Sequence, residues 1–319
     1  MAKQPNRKKN SPKHKKKTSK GGGLDEPFYQ GVPRKRNSPK VQAKQQRRKV
    51  DPEEKKEVHR QERDPKRRAT GLRPDEAIRL NRFIAQAGVC SRREADTLIS
   101  TGKIKVNGEV ITDMSTRVVP ERDKVEYRGR ILTPQNFVYF LFNKPKNMIT
   151  TMSDPLGRKT VLQAIENISK QRVYPVGRLD RNTTGLLLLT NDGELAKQLT
   201  HPSYEVKKIY KIRLNRLVEE EHLEDLRRGI VLEDGPAKVD RVDWVDGIPG
   251  KEVGLEIHSG RNRIVRRMFE HFGYQVEALD RVMIGHLDKK GLPRGKWRKL
   301  SDKEIGFLKM MAGRKEKKD

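Results

Sequence analysis

The chain has 319 residues, of which 36% are charged and 33% hydrophobic, and its formal net charge is +29. A basic excess of this size indicates a polyanionic partner, either nucleic acid or an anionic membrane surface. No apolar run approaches the roughly 18 residues that a membrane-spanning helix needs, and the single cysteine, Cys90, cannot form an internal disulfide. We therefore expect a cytoplasmic protein with no segment that crosses a membrane.

Residues 1–74 are expected to form a disordered basic tail. Up to residue 72 this segment has 24 lysines and arginines against 8 aspartates and glutamates, which gives +16 of the total charge. Apolar residues are too scarce there to offset the entropy cost of ordering the chain. We interpret the tail as an electrostatic arm for RNA, and a purely solubilising tail is the alternative.

Residues 75–133 predict a small domain of two helices followed by short strands. Apolar side chains recur at helical spacing from Ile78 to Ala87. Ser91 then opens a second helix with the sequence of a capping box. Short apolar runs on either side of Asn107-Gly108 and of Arg128-Gly129 predict two tight hairpins.

This first domain resembles the S4 RNA-binding domain. The string LNRFIAQAGVCSRREADTLISTGKIKVNG carries the likeness, which covers nearly all of residues 78–132. Its arginines lie away from the apolar stripe, and the fork of donors on arginine matches phosphate geometry. The residues that we expect to contact RNA are Arg82, Ser91, Arg92 and Arg93. A solvated basic face without a ligand is the alternative, and contacts of this kind carry little sequence information.

The stretch 176–191, which reads VGRLDRNTTGLLLLTN, holds the strongest candidate for chemistry. It places a polar, glycine-bounded loop between a short strand and the buried apolar strand Leu186–Leu189. Asp180 lies in that loop between Arg178 and Arg181. Active-site groups are often found on loops held by a rigid scaffold. From the loop alone, however, the favoured interpretation of Asp180 is an ordinary turn residue bonded to its own backbone, since turn aspartates are common.

Two further segments of the second half stand out. Residues 206–214 predict a strand on which Tyr210 points inward by two-residue alternation, where a tyrosine usually serves core packing. Residues 259–273, which read SGRNRIVRRMFEHFG, predict an amphipathic helix with arginines crowded at its start. Taken alone, that helix indicates only another RNA-facing surface.

Together these motifs resemble the RsuA/RluB/RluE/RluF group of RNA pseudouridine synthases. The strings GRLDRNTTGLLLLTNDGELAKQL, KIY, RNRIVRR and KKGLPRGKWRKL occur in the family's order, and the last is closest to the RluB branch. The likeness covers residues 76 to 310. It implies an α+β fold in which the S4 domain is followed, at residues 137–311, by a larger domain with a mixed, mainly antiparallel sheet. Residues 312–319 are expected to be a basic, unstructured end.

The resemblance also implies roles for individual residues. Asp180 is the aspartate of the GRLD motif, which is catalytic in the family. Tyr210 would stack on a uracil flipped out of the RNA, since stacking requires an aromatic plane. Arg266 would pair with the aspartate and keep it ionised, as a nucleophile must be. Val265 would line the pocket, and Arg178 would support the flipped backbone.

A further segment of the larger domain matches the family's first conserved motif. The strand predicted at 137–142 is followed by Asn143-Lys144-Pro145. Asn147 stands where the family usually has glycine, and asparagine tolerates a left-handed backbone best after glycine. We therefore expect the turn to be kept, and we interpret Lys144 as structural or phosphate-facing rather than catalytic.

Pseudouridine formation replaces an N–C glycosidic bond by a C–C bond and is redox-neutral. The sequence has no Walker A or dinucleotide fingerprint and no clustered metal ligands, so we expect neither a cofactor nor a metal. The expected partner is ribosomal RNA, of the large subunit or its assembly intermediate, with small-subunit RNA as the alternative. We also expect a monomer.

Two other classes of function are weighed against this one. A non-catalytic RNA-binding assembly factor would explain the basic charge and the S4 motif, but not the separate motifs around Asp180, Tyr210 and Arg266. A hydrolase would need a second carboxylate, whereas arginines surround Asp180. The sequence leaves open whether Asp180 attacks the nucleotide or abstracts a ribose proton.

Overall fold

The computed structural model describes residues 76–152 and 154–313. The expected basic tail, residues 1–74, lies outside the described residues, as do residues 314–319 of the expected basic end. Within the described ranges, no helix combines the length and apolarity needed to cross a bilayer.

The first domain has two helices packed on short strands, as the sequence predicts. Its helices are α1 (Leu80–Gln86) and α2 (Arg92–Ser100), and its strands are β1 (Ile78–Arg79), β2 (Ile104–Val106), β3 (Glu109–Ile111), β4 (Arg117–Val118), β5 (Val125–Tyr127) and β6 (Arg130–Ile131). A four-stranded sheet has the order β3-β2-β5-β6, and β1 pairs separately with β4. The two predicted hairpins are therefore confirmed, as β2–β3 and β5–β6.

The start of this domain differs from the prediction. Ile78 belongs to strand β1, where it pairs with Val118, and α1 begins only at Leu80. Ile78 is buried in the same core as the helix residues, so its apolar character fitted either assignment. The predicted capping box is confirmed: the Glu94 N–H donates to Ser91 Oγ at 3.2 Å, and the Ser91 N–H donates to the Glu94 carboxylate at 2.7 Å.

The second domain is built on a nine-stranded sheet. Its strands are β7 (Tyr139–Lys144), β8 (Tyr174–Pro175), β9 (Thr183–Thr190), β10 (Lys208–Leu214), β13 (Arg241–Trp244), β14 (Glu252–Ile257), β15 (Val276–Ile284), β16 (Leu287–Asp288) and β17 (Trp297–Lys299). The main order is β13-β14-β10-β15-β9-β7-β17, with β16 beside β15 and β8 beside β9. Only the β9–β15 pairing is parallel among these described strands, which confirms a mixed, mainly antiparallel sheet.

In the described part of this domain, a separate hairpin, five α-helices and two short 3-10 helices, Pro202–Tyr204 and Val245–Gly247, accompany the sheet. The hairpin consists of β11 (Ile230–Leu232) and β12 (Gly235–Ala237), and the helices are α3 (Val161–Ile165), α4 (Gly193–Thr200), α5 (Glu220–Arg228), α6 (Ile264–His271) and α7 (Asp302–Ala312). Helices α3 and α7 and strands β12, β16 and β17 were not predicted. The first strand begins at Tyr139 rather than at residue 137.

The apolar run of β9 is explained by cores on both faces of the sheet. Leu186 and Leu188 pack with α4 and α7 on one face, while Leu187 and Leu189 pack with α3 on the other. A strand buried on both sides needs no polar alternation. The loop that precedes β9 is thus attached to one of the most deeply buried strands of the domain.

Gly185 lets β9 and β15 approach closely beside the end of that loop. It lies opposite Arg281 in the parallel pairing and has a φ of +104°. A Cβ atom at this position would lie 2.2 Å from the Arg281 carbonyl oxygen. Only glycine fits there, because both the backbone conformation and the available space exclude a side chain.

Candidate active site

The loop that carries Asp180 is held from below by a buried lysine. Lys144, at the end of β7, is fully buried, and its Nζ donates to the carbonyl oxygens of Asp180 at 3.0 Å and Thr183 at 2.8 Å. Burial lowers the pKa of Lys144 to about 8, although the Asp180 charge opposes that shift. The ammonium group therefore fixes the backbone of the loop. Of the two roles predicted for Lys144, these contacts support the structural one.

Two more contacts hold the same loop. Asn147 has a φ of 63°, so the left-handed turn expected there is confirmed, and its N–H donates to the Arg181 carbonyl oxygen at 2.9 Å. Thr150 Oγ1 donates to the Leu179 carbonyl oxygen at 2.9 Å and accepts from the Leu179 N–H at 3.3 Å. With both neighbours of Asp180 bonded in this way, its carboxylate is presented from a rigid backbone.

The five residues assigned to the site from the sequence line one cleft of about 180 Å³. They are Arg178 and Asp180 of the loop, Tyr210 of β10, and Val265 and Arg266 of α6. We call this space the central cleft. The structure thus brings together side chains from three separate segments of the sequence, while the role of each residue stays a prediction.

Asp180 faces two arginines across the central cleft. Its Oδ2 lies 3.8 Å from Arg266 Nε and 3.8 Å from Arg263 Nη1. The Asp180 side chain is 38% exposed and that of Arg266 only 10%. At these distances the contacts are ion pairs rather than hydrogen bonds, so the carboxylate is held by charge and stays open to a ligand.

Arg266 has one fixed contact and one free donor. Its Nη1 donates to the Val276 carbonyl oxygen at 3.0 Å. Its Nε is buried and has no hydrogen-bond partner among the residues that the structure describes. Burial, followed by the charge of Arg263, lowers the pKa of Arg266 below its ordinary value. The guanidinium is therefore anchored at one end, and its unpaired Nε lies on the side of Asp180.

Arg263 was not singled out from the sequence. It has a φ of 47° and immediately precedes α6, so it lies outside the regular periodicity of that helix. Its Nη2 also lies 3.4 Å from Glu270 Oε1. The crowding of arginines at the start of the helix was noted, but the left-handed residue that redirects Arg263 toward Asp180 could not be read from the pattern.

Tyr210 lies at the centre of the sheet and on the wall of the central cleft. It is half-buried, is opposite Leu255 of β14 and Arg281 of β15, and packs against two hydrophobic cores. Part of the ring is therefore core, which was the alternative interpretation, and part is available to a ligand.

Asp180 is the one carboxylate among the described residues that line the cleft, so the paired acids of a hydrolase are not present there.

Three of the four predicted RNA contacts of the first domain lie in a second, larger opening. Arg82, Ser91 and Arg92 line a groove of about 1060 Å³ between the two domains, whose other wall includes Arg178. We call it the interdomain groove. Arg93 is exposed on α2 and is not among its lining residues. Since Arg178 lines both spaces, the groove and the central cleft meet at that residue.

Metal ligation has no candidate in this region. Across residues 76–152 and 154–313, no group of three or more His, Cys, Asp and Glu side chains could hold a metal ion. The chemistry available to the described part of the central cleft is that of one carboxylate, several cations and an aromatic ring.

Comparison with known proteins agrees with this fold. The RNA pseudouridylate synthase family profile matches residues 138–271, and the S4 domain profile matches residues 78–123. A solved structure described as a pseudouridylate synthase is 32% identical, with a TM-score of 0.53, and the match covers 72% of this chain and 99% of that one.

Two relatives align with this chain over nearly their whole length. An uncharacterized RNA pseudouridine synthase of Aquifex aeolicus is 44% identical over 241 residues, which is 75% of this chain and 96% of the relative. Ribosomal large subunit pseudouridine synthase B of Bacillus subtilis is 44% identical over 237 residues, 73% of this chain and 96% of the relative. The fold is that of an RNA-modifying isomerase with an S4 domain. The chain belongs to the RNA pseudouridine synthase family.

Proposed function

We propose that the protein converts a specific uridine of large-subunit ribosomal RNA into pseudouridine. The observation that carries the proposal is the placement of Asp180 between Arg263 and Arg266, in a cleft that Tyr210 also lines. The choice of ribosomal RNA is supported by the name of the Bacillus subtilis relative. The formal charge of +29 supports a polyanionic partner of that kind.

The reaction begins with a uridine that leaves its stack and enters the central cleft. A base inside a folded RNA is inaccessible to a side chain, so the nucleotide must be extruded. Tyr210 supplies the aromatic face against which the uracil stacks, and Val265 bounds the same space. Arg178 lies at the junction with the interdomain groove and supports the backbone of the extruded nucleotide.

The chemical step uses the Asp180 carboxylate. It either attacks the nucleotide and forms a covalent bond, which breaks again when the product forms, or removes a ribose proton, which it later returns to the ribose. In both cases the N1–C1′ bond breaks. The uracil then rotates, C5 bonds to C1′, the C5 proton is lost and N1 gains a proton, so the product is an isomer of the substrate. Arg263 and Arg266 face the carboxylate with two positive charges before it reacts.

This proposal is tested by mapping pseudouridines in ribosomal RNA from cells that lack the protein. Wild-type protein is expected to restore one large-subunit site, while Asp180→Asn restores none. Asp246→Asn serves as the matched control, because Asp246 is an exposed aspartate in a left-handed turn that asparagine also tolerates. A site that Asp180→Asn restores fully would refute the assignment, and a restored site in small-subunit RNA would refute the choice of substrate.

Two other expectations from the sequence stay predictions. They are the cytoplasmic location, expected from the cysteine content and the absence of an apolar run, and the monomeric state. Size-exclusion chromatography with light scattering measures the second directly.

A further inference from the structure

The central cleft has far more positive charge than Asp180 requires. Among the described residues that line it, six are cationic: Arg178, Lys208, Arg261, Arg263, Arg266 and Arg281. Arg263 and Arg266 face Asp180, and Arg261 pairs with Asp234 at 3.4 Å. In the described part of the chain, Lys208 and Arg281 have no carboxylate within ion-pair distance.

Arg281 is buried and incompletely bonded. It lies on β15 directly opposite Tyr210 and is 5% exposed. Its Nε donates to the Leu186 carbonyl oxygen at 2.8 Å, whereas its buried Nη2 has no hydrogen-bond partner in the regions that the structure describes. Arginine carries five N–H donors, so the donors of Nη2 are left for a ligand in the central cleft, which Arg281 lines.

Lys208 lies beside it with a spare donor. It precedes Tyr210 by two residues on β10, and its Nζ donates to the carbonyl oxygens of Val206 at 2.8 Å and His258 at 2.9 Å. An ammonium group has three N–H donors, so one is left over. Burial, and then the charge of Arg281, lower the pKa of Lys208 to about 8.

Two like charges held together away from water are costly unless an anion completes them. Backbone carbonyls satisfy some of their hydrogen bonds. The charge of Asp240, which lies beyond ion-pair distance, compensates that of Lys208 only in part. A negatively charged ligand at this end of the central cleft would offset the free-energy cost of burying the two charges. The arginine fork matches phosphate geometry, and lysine adds a point charge.

We propose that Lys208 and Arg281 form a phosphate subsite, which binds a phosphate that flanks the extruded uridine while its base lies on Tyr210. This inference rests on the proposed function and names a substrate contact within the same cleft. Since Lys208 and Arg281 flank Tyr210 on adjacent strands, the phosphate would be fixed relative to the stacked base. The subsite would then help to position the nucleotide for Asp180.

The test compares small ligands that differ only in the phosphate. Uridine, uridine 5′-monophosphate and uridine 3′-monophosphate are titrated into the full-length protein by calorimetry at low salt. One of the two nucleotides is expected to bind at least about tenfold more tightly than uridine, as one charge-assisted hydrogen bond allows. The preferred nucleotide identifies which phosphate occupies the subsite.

Variants then assign that preference to the two residues. In Lys208→Met and in Arg281→Met the preference should fall to about twofold or less, since each variant removes one of the two cations that hold the phosphate. Arg281→Lys keeps a positive charge and should retain part of it. Lys211→Met is the matched control, because Lys211 lies on the same strand, outside the lining of the central cleft, paired with Glu252 at 2.8 Å. Thermal unfolding checks that each variant is folded.

Three outcomes would overturn the inference. Equal binding of all three ligands by the wild type would show that no phosphate is bound. An unchanged preference in both methionine variants would place the phosphate on other arginines. An equal loss for all three ligands would mean that the residues only shape the cleft. Any of these could occur while pseudouridine mapping succeeds, so the two proposals fail separately.

Discussion

Arg266 Nε lies 3.8 Å from Asp180 Oδ2 and is otherwise unpaired in the described part of the chain. The guanidinium is anchored at its other end, through Nη1, to the Val276 carbonyl oxygen. The arginine thus holds its position without closing a hydrogen bond on the carboxylate. Catalytic contacts are often longer in the absence of substrate and tighten in the complex. The 3.8 Å between Arg266 Nε and Asp180 Oδ2 can shorten to a hydrogen bond in this way.

Replacing Arg266 by methionine should slow turnover by about 10- to 100-fold, the effect of losing one charge-assisted contact. Arg263→Met should have a smaller effect, because its side chain is 45% exposed and also faces Glu270. Single-turnover rates on the RNA substrate measure both. The double variant should lose more than the product of the two single effects, since each arginine compensates in part for the other. Equal effects of the two single variants would contradict this ranking.

Tyr210→Ala should weaken RNA binding, whereas Tyr210→Phe should not. Stacking of a base on an aromatic ring contributes about 1–3 kcal/mol, and phenylalanine keeps the ring. Because Tyr210 also packs against the sheet cores, thermal unfolding of each variant must be measured beside the dissociation constant. Weak binding by a fully folded Tyr210→Phe variant would mean that the hydroxyl, and not the ring, is what holds the RNA.

Gly185→Ala should destabilise the protein strongly, by more than about 3 kcal/mol, through a backbone clash combined with positive φ. The added Cβ would meet the Arg281 carbonyl oxygen at 2.2 Å. Gly291→Ala separates the two causes, because Gly291 has a φ of +69° but nothing within 4 Å of its Cβ position. Chemical denaturation of both variants gives the difference. A similar loss in both would show that backbone conformation alone is responsible.

Lys144 gives the free energy of unfolding a pH dependence of known sign. Its pKa is about 8 in the folded protein and 10.5 in the ordinary state, so between those values the unfolded chain binds more protons. The contribution of this group to stability therefore rises as the pH increases from 8 to 10.5.

The measurement is the difference in unfolding free energy between the wild type and Lys144→Met. The variant should be less stable at neutral pH, because the Asp180 and Thr183 carbonyl oxygens lose a donor, at about 1–3 kcal/mol for each buried unsatisfied group. The difference should grow through the alkaline range. A difference that shrinks as the pH rises would mean that the pKa of Lys144 is higher in the folded protein than in the unfolded chain.

Much of the fold follows from local patterns. The capping box at Ser91, the left-handed turn at Asn147 and the doubly buried strand β9 are each fixed by residues close in sequence. The errors arose where an apolar residue fitted two structures, as at Ile78, which pairs with Val118 from a distant strand. Strand β12 was missed for another reason. It contains Pro236, and proline lacks the N–H that a regular strand pairing uses.

The site residues also fall into those that the sequence identifies and those that it does not. Asp180, Tyr210 and Arg266 were identified because their motifs carry a family resemblance. Arg263 and Arg281 were not, because their position in the cleft depends on tertiary structure: a left-handed backbone in one case, and the register of two strands in the other. No spacing in the sequence places Arg281 opposite Tyr210.

The central claim is that the Asp180 carboxylate performs the chemistry in a cleft that otherwise only binds the nucleotide. Ribosomal RNA labelled with tritium at C5 of its uridines tests this directly, because C5 loses its hydrogen when it bonds to C1′. Asp180→Asn should bind the RNA as the wild type does and release no tritium above background, while Asp246→Asn releases it at the wild-type rate. Tritium release by Asp180→Asn at a rate near that of the wild type would contradict the account.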